Sequence, residues 1–171
     1  MKLYELVGRD KGVGFSPFVW RVKLALAHKG LSYERVPLHF TEISDAVAFA
    51  GSKTVPVLVD GENVVSDSWE IICYLEESYP QSPSIFSDHH AAKLFNFQIG
   101  MPLLAPLFRT IVADIYDVIH DLDKDYFRKS REARIGCTLE EAAENNKDSF
   151  ATFKTNLVPY SQFFKRETYI G

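Results

Sequence analysis

The sequence predicts an α/β molecule in two parts: a mixed sheet with helices over its faces, followed by an all-helical half. Three observations carry this. Strand and helix patterns alternate through residues 1–80, and only helical spacing follows. Between them, Tyr79-Pro80-Gln81-Ser82-Pro83-Ser84 places two prolines among small polar residues, which ends a helix and suits a linker. The predicted domains are 1–80 and 88–171.

Met1-Lys2-Leu3-Tyr4-Glu5-Leu6 alternates polar and apolar residues and reads as a strand, not a signal peptide. Ser16 is a favoured N-cap, and Pro17 suits the first helical position, since it has no N–H to lose and its φ is already helical. That helix runs to Gly30, the expected C′ residue. Residues 32–37 alternate as a second strand and 43–50 form a short, weak helix. Residues 55–59 are the third strand, Asp60-Gly61 a tight hairpin turn and 63–66 the fourth strand. Asp67 and Glu70 are spaced as a capping pair for a helix over 68–78. The order is βαβαββα. Its first two strands flank a helix and are parallel, and its last two form an antiparallel hairpin, which is the thioredoxin-like layout.

In the second half, Leu104, Leu107, Phe108, Ile111, Ile115 and Ile119 recur at helical spacing along a long segment that Pro102 and Pro106 are expected to bend. A shorter helix is expected over 126–135. Another starts at Thr138, where Thr138 and Glu141 form a capping box, and extends toward Phe164. Three helices make a thin bundle. The last carries Phe150, Phe153, Leu157, Tyr160, Phe163 and Phe164, which want more apolar partners than the sequence supplies. The all-α half therefore reads as incomplete.

A chain of 171 residues with 46% apolar and 25% charged residues has the composition of a folded globular protein. A net charge of −4 without a basic run argues against nucleic acid and against an anionic membrane surface as partners. No stretch approaches a membrane span. Cys73 and Cys137 form no CxxC pair, so neither a disulfide scaffold nor a zinc site is indicated, and a cytoplasmic location is the default. The histidines suggest no catalytic triad and no metal site: His89-His90 lies at a helix start and His28 at a polar helix end.

Three short motifs carry chemistry. A helix start favours anions through its free N–H groups and dipole, so a thiolate beside Ser16 is stabilised; Ser16 as a plain cap is the other reading. Pro56 at the start of a strand is awkward in the ladder and reads either as a special backbone site or as an ordinary edge-strand proline. Asp67 and Ser68 at the next helix start suit a carboxylate and an ammonium, or simple capping.

Taken in order, these motifs resemble the glutathione transferase family. The likeness rests on Ser16-Pro17-Phe18-Val19 with Arg21, Leu24-Ala25-Leu26 and Lys29-Gly30, then Val55-Pro56-Val57-Leu58, then Asp67-Ser68 leading into Tyr74-Leu75. Within the family the wording is similar to the bacterial β-etherase-like group and its fungal relatives. That likeness rests on Ser16-Pro17-Phe18-Val19-Trp20-Arg21, Val59-Asp60-Gly61, Asp67-Ser68-Trp69, and Asp125-Tyr126-Phe127-Arg128 with Ser130-Arg131-Glu132. The plant tau class shares the first motif only.

The resemblance implies a serine-type glutathione transferase with glutathione as co-substrate and no metal. Ser16 would donate a hydrogen bond to the glutathione thiolate. A cis Pro56 would turn the Val55 N–H and C=O toward the cysteinyl backbone, and Asp67 and Ser68 would hold the γ-glutamyl end. Lys53 is the candidate cation for the glycine carboxylate, although it lies three residues before Pro56, and a solvated surface lysine is the alternative. A free thiol has a pKa of about 8.5, and lowering it by about two units is worth roughly 2.7 kcal/mol. With no cysteine near Ser16, transfer is favoured over mixed-disulfide chemistry. The small hydrophobic, aromatic electrophile, with aryl-ether cleavage as its finer form, would meet Pro17, Phe18, the His39-Phe40 segment and the helix face from Phe108 to Tyr116. A homodimer is implied, as are further helices after Tyr169-Ile170-Gly171. A non-catalytic module of the same fold that binds a ligand or partner is the alternative function.

Overall fold

A computed structural model describes residues 1–100 and 102–167. The chain forms two compact units, one of Met1–Ile85 with Val118–Tyr126, the other of Phe86–Asp117 with the residues from Phe127 onward. In the first, β1 (Lys2–Leu6) pairs in parallel with β2 (Glu34–Leu38) and antiparallel with β3 (Val57–Asp60). β4 (Asn63–Ser66) pairs antiparallel with β3, so the order is β2-β1-β3-β4. This is the expected thioredoxin-like mixed sheet. Leu3 and Leu6 of β1 and Val57 and Leu58 of β3 are buried. Glu5 is buried too, ion-paired with Lys23 and Arg35.

α1 (Pro17–His28) starts as predicted: Ser16 is its N-cap and Pro17 its first residue. It ends at Gly30, whose φ of 68° lets the Gly30 and Leu31 N–H groups donate to Ala27 and Leu26 carbonyls at 3.1 and 2.9 Å. α1 buries Val19, Val22, Ala25 and Leu26, and packs on α3 (Ser68–Ser78), which buries Ile71, Ile72 and Leu75. The buried Lys29 ammonium ties the two helix ends together by pairing with Glu76 at 2.9 Å and donating to the Tyr79 carbonyl at 3.2 Å. The weak helix divides into α2 (Ile43–Ala46) and a 3₁₀ turn, Ala48–Ala50.

Two strands differ in their bounds from the sequence reading. β2 lies at Glu34–Leu38 rather than 32–37, and β3 at Val57–Asp60 rather than 55–59. Proline has no N–H to give to a ladder, so Pro56 stands ahead of the strand it was expected to join.

The second half holds five helical segments among the described residues, not three. They are α4 (His89–Gly100), α5 (Leu104–Val118), α6 (Lys124–Ile135), α7 (Leu139–Glu144) and α8 (Asn146–Phe163). Pro102 falls in the break between α4 and α5, whereas Pro106 sits in the first turn of α5, where its missing N–H costs no helical bond. The capping box of Thr138 and Glu141 is present, with N–H to side-chain distances of 2.8 and 3.1 Å. The helix it starts ends at Glu144, and its C-cap Asn145 donates both its backbone N–H and its side-chain amide to the Glu141 carbonyl, at 3.1 and 2.9 Å. Among the described residues, no single helix is long and apolar enough to cross a membrane. Tyr169-Ile170-Gly171, after which further helices are expected, lies outside the described residues.

Candidate functional site

Ser16 is 8% exposed and follows a short loop that folds back on β1. Val7 and Gly14 form a bridge across that loop, and the Trp20 indole N–H donates to the Gly14 carbonyl at 2.9 Å. The Ser16 oxygen accepts the Val19 N–H at 3.4 Å. A hydroxyl that accepts in this way still has its own proton to donate. Pro17 is exposed, and Phe18 is 44% exposed with the Arg21 guanidinium 5.1 Å over its ring.

The Val55–Pro56 peptide bond is cis. Val55 is half-buried and packs, together with Phe15 and Phe40, on a cluster of Leu6, Leu38, Ile43, Val47 and Val57. One apolar platform thus underlies the residue before Ser16, the residue before the cis proline, and Phe40. Lys53 is exposed, next to a turn in which the Ser52 hydroxyl donates to the Thr54 carbonyl at 3.0 Å.

Asp67 caps α3: its Oδ1 accepts the Trp69 and Glu70 N–H groups at 2.8 and 3.3 Å, and Ser68 is buried behind it. Its φ of 72° lies in the region that favours glycine, and such backbone strain clusters at ligand sites. Arg21 of α1 feels the Asp67 charge. Burial lowers the Arg21 guanidinium below its ordinary pKa, and the Asp67 carboxylate offsets part of that.

Phe40 has a partner that sequence reasoning missed. The fully buried Asp123 carboxylate accepts the Phe40 N–H at 2.9 Å, the Thr41 N–H at 3.0 Å and the Thr41 hydroxyl at 2.8 Å. In sequence, Asp123 is one of several acids within residues 117–125. Its partner lies 83 residues away, and no local signal marks it.

Phe108 and Tyr116 belong to the other unit, where Arg134 lies 5.6 Å over the Phe108 ring and Arg128 lies 4.8 Å over Tyr116. An open recess of about 350 Å³ in that unit, between Ala105, Pro106 and Arg109 of α5 and Asp148, Ser149 and Thr152 of α8, contains no predicted site residue. No group of metal-ligating side chains occurs among the described residues.

The fold and site together define a thioredoxin-like protein that presents a serine at one helix start, a cis proline, and an acid-serine pair at a second helix start. Residues 15–78 match the family model for the glutathione S-transferase N-terminal domain and residues 91–169 that for the C-terminal domain, so the chain belongs to the glutathione S-transferase family. It is similar to a zeta-class glutathione S-transferase of Euphorbia esula, with 42% identity over 83 residues that cover 46% of this chain and 36% of the relative. The chain thus matches just over a third of that relative's length. A glutathione transferase structure from Phanerochaete chrysosporium aligns with a TM-score of 0.88 and 26% identity, covering 96% of this chain and 72% of the other. A glutathione S-transferase of Ceriporiopsis subvermispora, solved in complex with glutathione, aligns over 99% of this chain and 75% of its own with a TM-score of 0.87 and 19% identity, a likeness of fold.

Proposed function

We propose that this chain binds glutathione through residues 1–80 and activates its thiol at Ser16 for attack on a hydrophobic, aromatic electrophile, with 88–171 as its helical domain. The observation that carries this is the Ser16 hydroxyl, nearly buried at the first turn of α1 and adjoining the apolar platform that also bears Val55. The helix start favours the anionic sulfur, and the hydroxyl donates to it. The Val55 backbone pairs with the cysteinyl segment in strand fashion. Asp67 takes the γ-glutamyl ammonium with the oxygen its cap leaves over, Ser68 and the α3 N–H groups take the carboxylate, and Lys53 takes the glycine carboxylate.

In the finer form of this reading the electrophile is an aryl ether. The sulfur forms a C–S bond as the C–O bond breaks, and the departing oxygen takes a proton from water. Pro17, Phe18 and Phe40 in the sheet-bearing unit are the residues we assign to its apolar walls. The partner is a second copy of the chain, in line with the prevalence of two-fold dimers.

Retention on immobilised glutathione, followed by turnover of a chloronitrobenzene, tests the reading. The expected result is retention of both the parent and Ser16→Ala, with turnover reduced about a hundredfold or more in Ser16→Ala, in line with the loss of a preorganised donor. Unchanged turnover in Ser16→Ala removes the serine mechanism. Retention without any turnover favours the non-catalytic module.

A further inference from the structure

We propose that Asp123 is a positioning residue for the thiol site and the electrophile wall, an assignment that rests on the glutathione reading above. Residues 118–126 leave the helical half in sequence but belong to the sheet-bearing unit. They are strapped to the loop ahead of Ser16. The Arg9 N–H donates to the Val118 carbonyl at 2.8 Å, Arg9 pairs with Asp121 at 3.3 Å, and a Cβ on Gly8 would stand 2.8 Å from the Val118 oxygen. Only glycine permits that approach.

On its other side the strap grips the exit of β2. His120 stacks on His39 at 4.5 Å, Tyr126 meets Phe40 at 6.3 Å, and both oxygens of Asp123 are committed to Phe40 and Thr41. Phe40 in turn rests on Phe15 at 6.0 Å, and Phe15 adjoins Ser16 in the chain. A single buried carboxylate therefore sets the place of Phe40 and, through Phe15, the bed on which the Ser16 hydroxyl sits. An apolar side chain would fill the same space at no charge-burial cost. What the carboxylate adds is direction: three donors converge on two oxygens, and short charge-assisted bonds hold a backbone more closely than packing does.

The experiment compares the parent chain with Asp123→Asn and with the milder Thr41→Val. Readouts are glutathione retention, steady-state turnover of a chloronitrobenzene, and the ultraviolet thiolate absorbance of bound glutathione. Asp123→Asn turns one acceptor into a donor facing donors, and the displaced site should lower kcat by about tenfold and raise the electrophile KM, a smaller loss than the roughly hundredfold that a misplacement of about 1 Å can cause. The thiolate absorbance should fall with it, while glutathione retention holds. Thr41→Val should move the same parameters less, and it decides the matter if Asp123→Asn does not fold.

A fall in melting temperature with kcat, KM and thiolate signal unchanged per folded molecule overturns the proposal and leaves Asp123 a structural brace. If Ser16→Ala abolishes the thiolate signal and Asp123→Asn keeps it, this inference fails alone. If neither the parent nor Ser16→Ala shows a thiolate, the glutathione reading fails and takes this inference with it.

Discussion

The sheet-bearing unit and the helical unit solve the burial problem differently. In the first, β1, β3, α1 and α3 each send residues such as Leu3, Leu58, Val22 and Ile71 fully out of water. In the second, neither α4 nor α8 buries a side chain among the described residues, while Leu94 and Phe97 of α4 and Phe150 and Val158 of α8 face outward. A sheet covered by helices gives every element a partner, whereas a helix holds its place only through whatever its apolar stripe meets. The core of the helical unit is carried instead by α5, α6 and α7, which bury Val112, Phe127, Ile135, Leu139 and Ala142, with exposed ion pairs around it. Arg128 grips Glu140 with two bonds of 2.8 and 2.9 Å and reaches Glu132 at 2.8 Å.

The contrast is most exposed to matched truncations. Leu58→Ala in β3, at 0% exposure, should cost about 3 kcal/mol of unfolding free energy, and Leu94→Ala in α4, at 60% exposure, under about 0.5 kcal/mol. Chemical denaturation measures both. An equal cost at Leu94 would mean that the α4 face is covered in solution, with a second copy of the chain as the first candidate to examine by sedimentation.

A buried charge sharpens it next. Glu5→Gln strands the Lys23 ammonium, 10% exposed, beside an amide. Removing one partner from a buried ion pair should cost about 3 kcal/mol, with Arg35 cushioned by its 3.1 Å bond to the Lys11 carbonyl. A loss below about 1 kcal/mol would show that Lys23 reaches water once released.

The smallest effects are titrations, one in each unit. In the sheet-bearing unit, donation of the Tyr79 hydroxyl to Asp60, with burial adding to it, pushes the phenol up to about 12. The folded value lies above the usual value of about 10, so this contribution is present below about pH 10 and is lost as pH rises through 12. Asp60→Asn should return Tyr79 toward about 10 in a tyrosinate absorbance titration. In the helical unit, hydrogen bonds from Arg128 hold Glu140 down at about 2. Its contribution is present above the ordinary glutamate range and fades as pH falls through 2, and Arg128→Gln should restore an ordinary carboxyl titration by NMR.

Legibility followed locality. The Ser16 cap with Pro17, the Gly30 ending and the Thr138 box are written within four or five residues and stand where the spacing predicted them, while the hairpin turn falls at Gly61-Glu62, one residue later than Asp60-Gly61, because Asp60 still pairs with Asn63. The breaks at Asn145 and between α4 and α5 were less legible, because a helical pattern of apolar residues runs through them. At the first break the Glu141 carbonyl takes both the backbone N–H and the side-chain amide of Asn145, and at the second stands Pro102, which has no N–H to give to a helix. Among the site residues, the helix starts and the proline were visible as motifs. The apolar platform shared by Phe15, Phe40 and Val55 was not, since Leu6, Leu38, Val47 and Val57 come from four separate segments.

By itself the sequence determined the order βαβαββα in residues 1–80 and the residue types at the starts of α1, α3 and α7, because periodicity and capping are short-range physics. The tertiary structure alone decided that Phe15, Phe40 and Val55 share one bed, that Arg21 feels Asp67, and that residues 118–126 belong to the sheet-bearing unit. Asp123 shows why: a buried carboxylate must find donors wherever the fold places them, and here they lie on a strand exit 83 residues away.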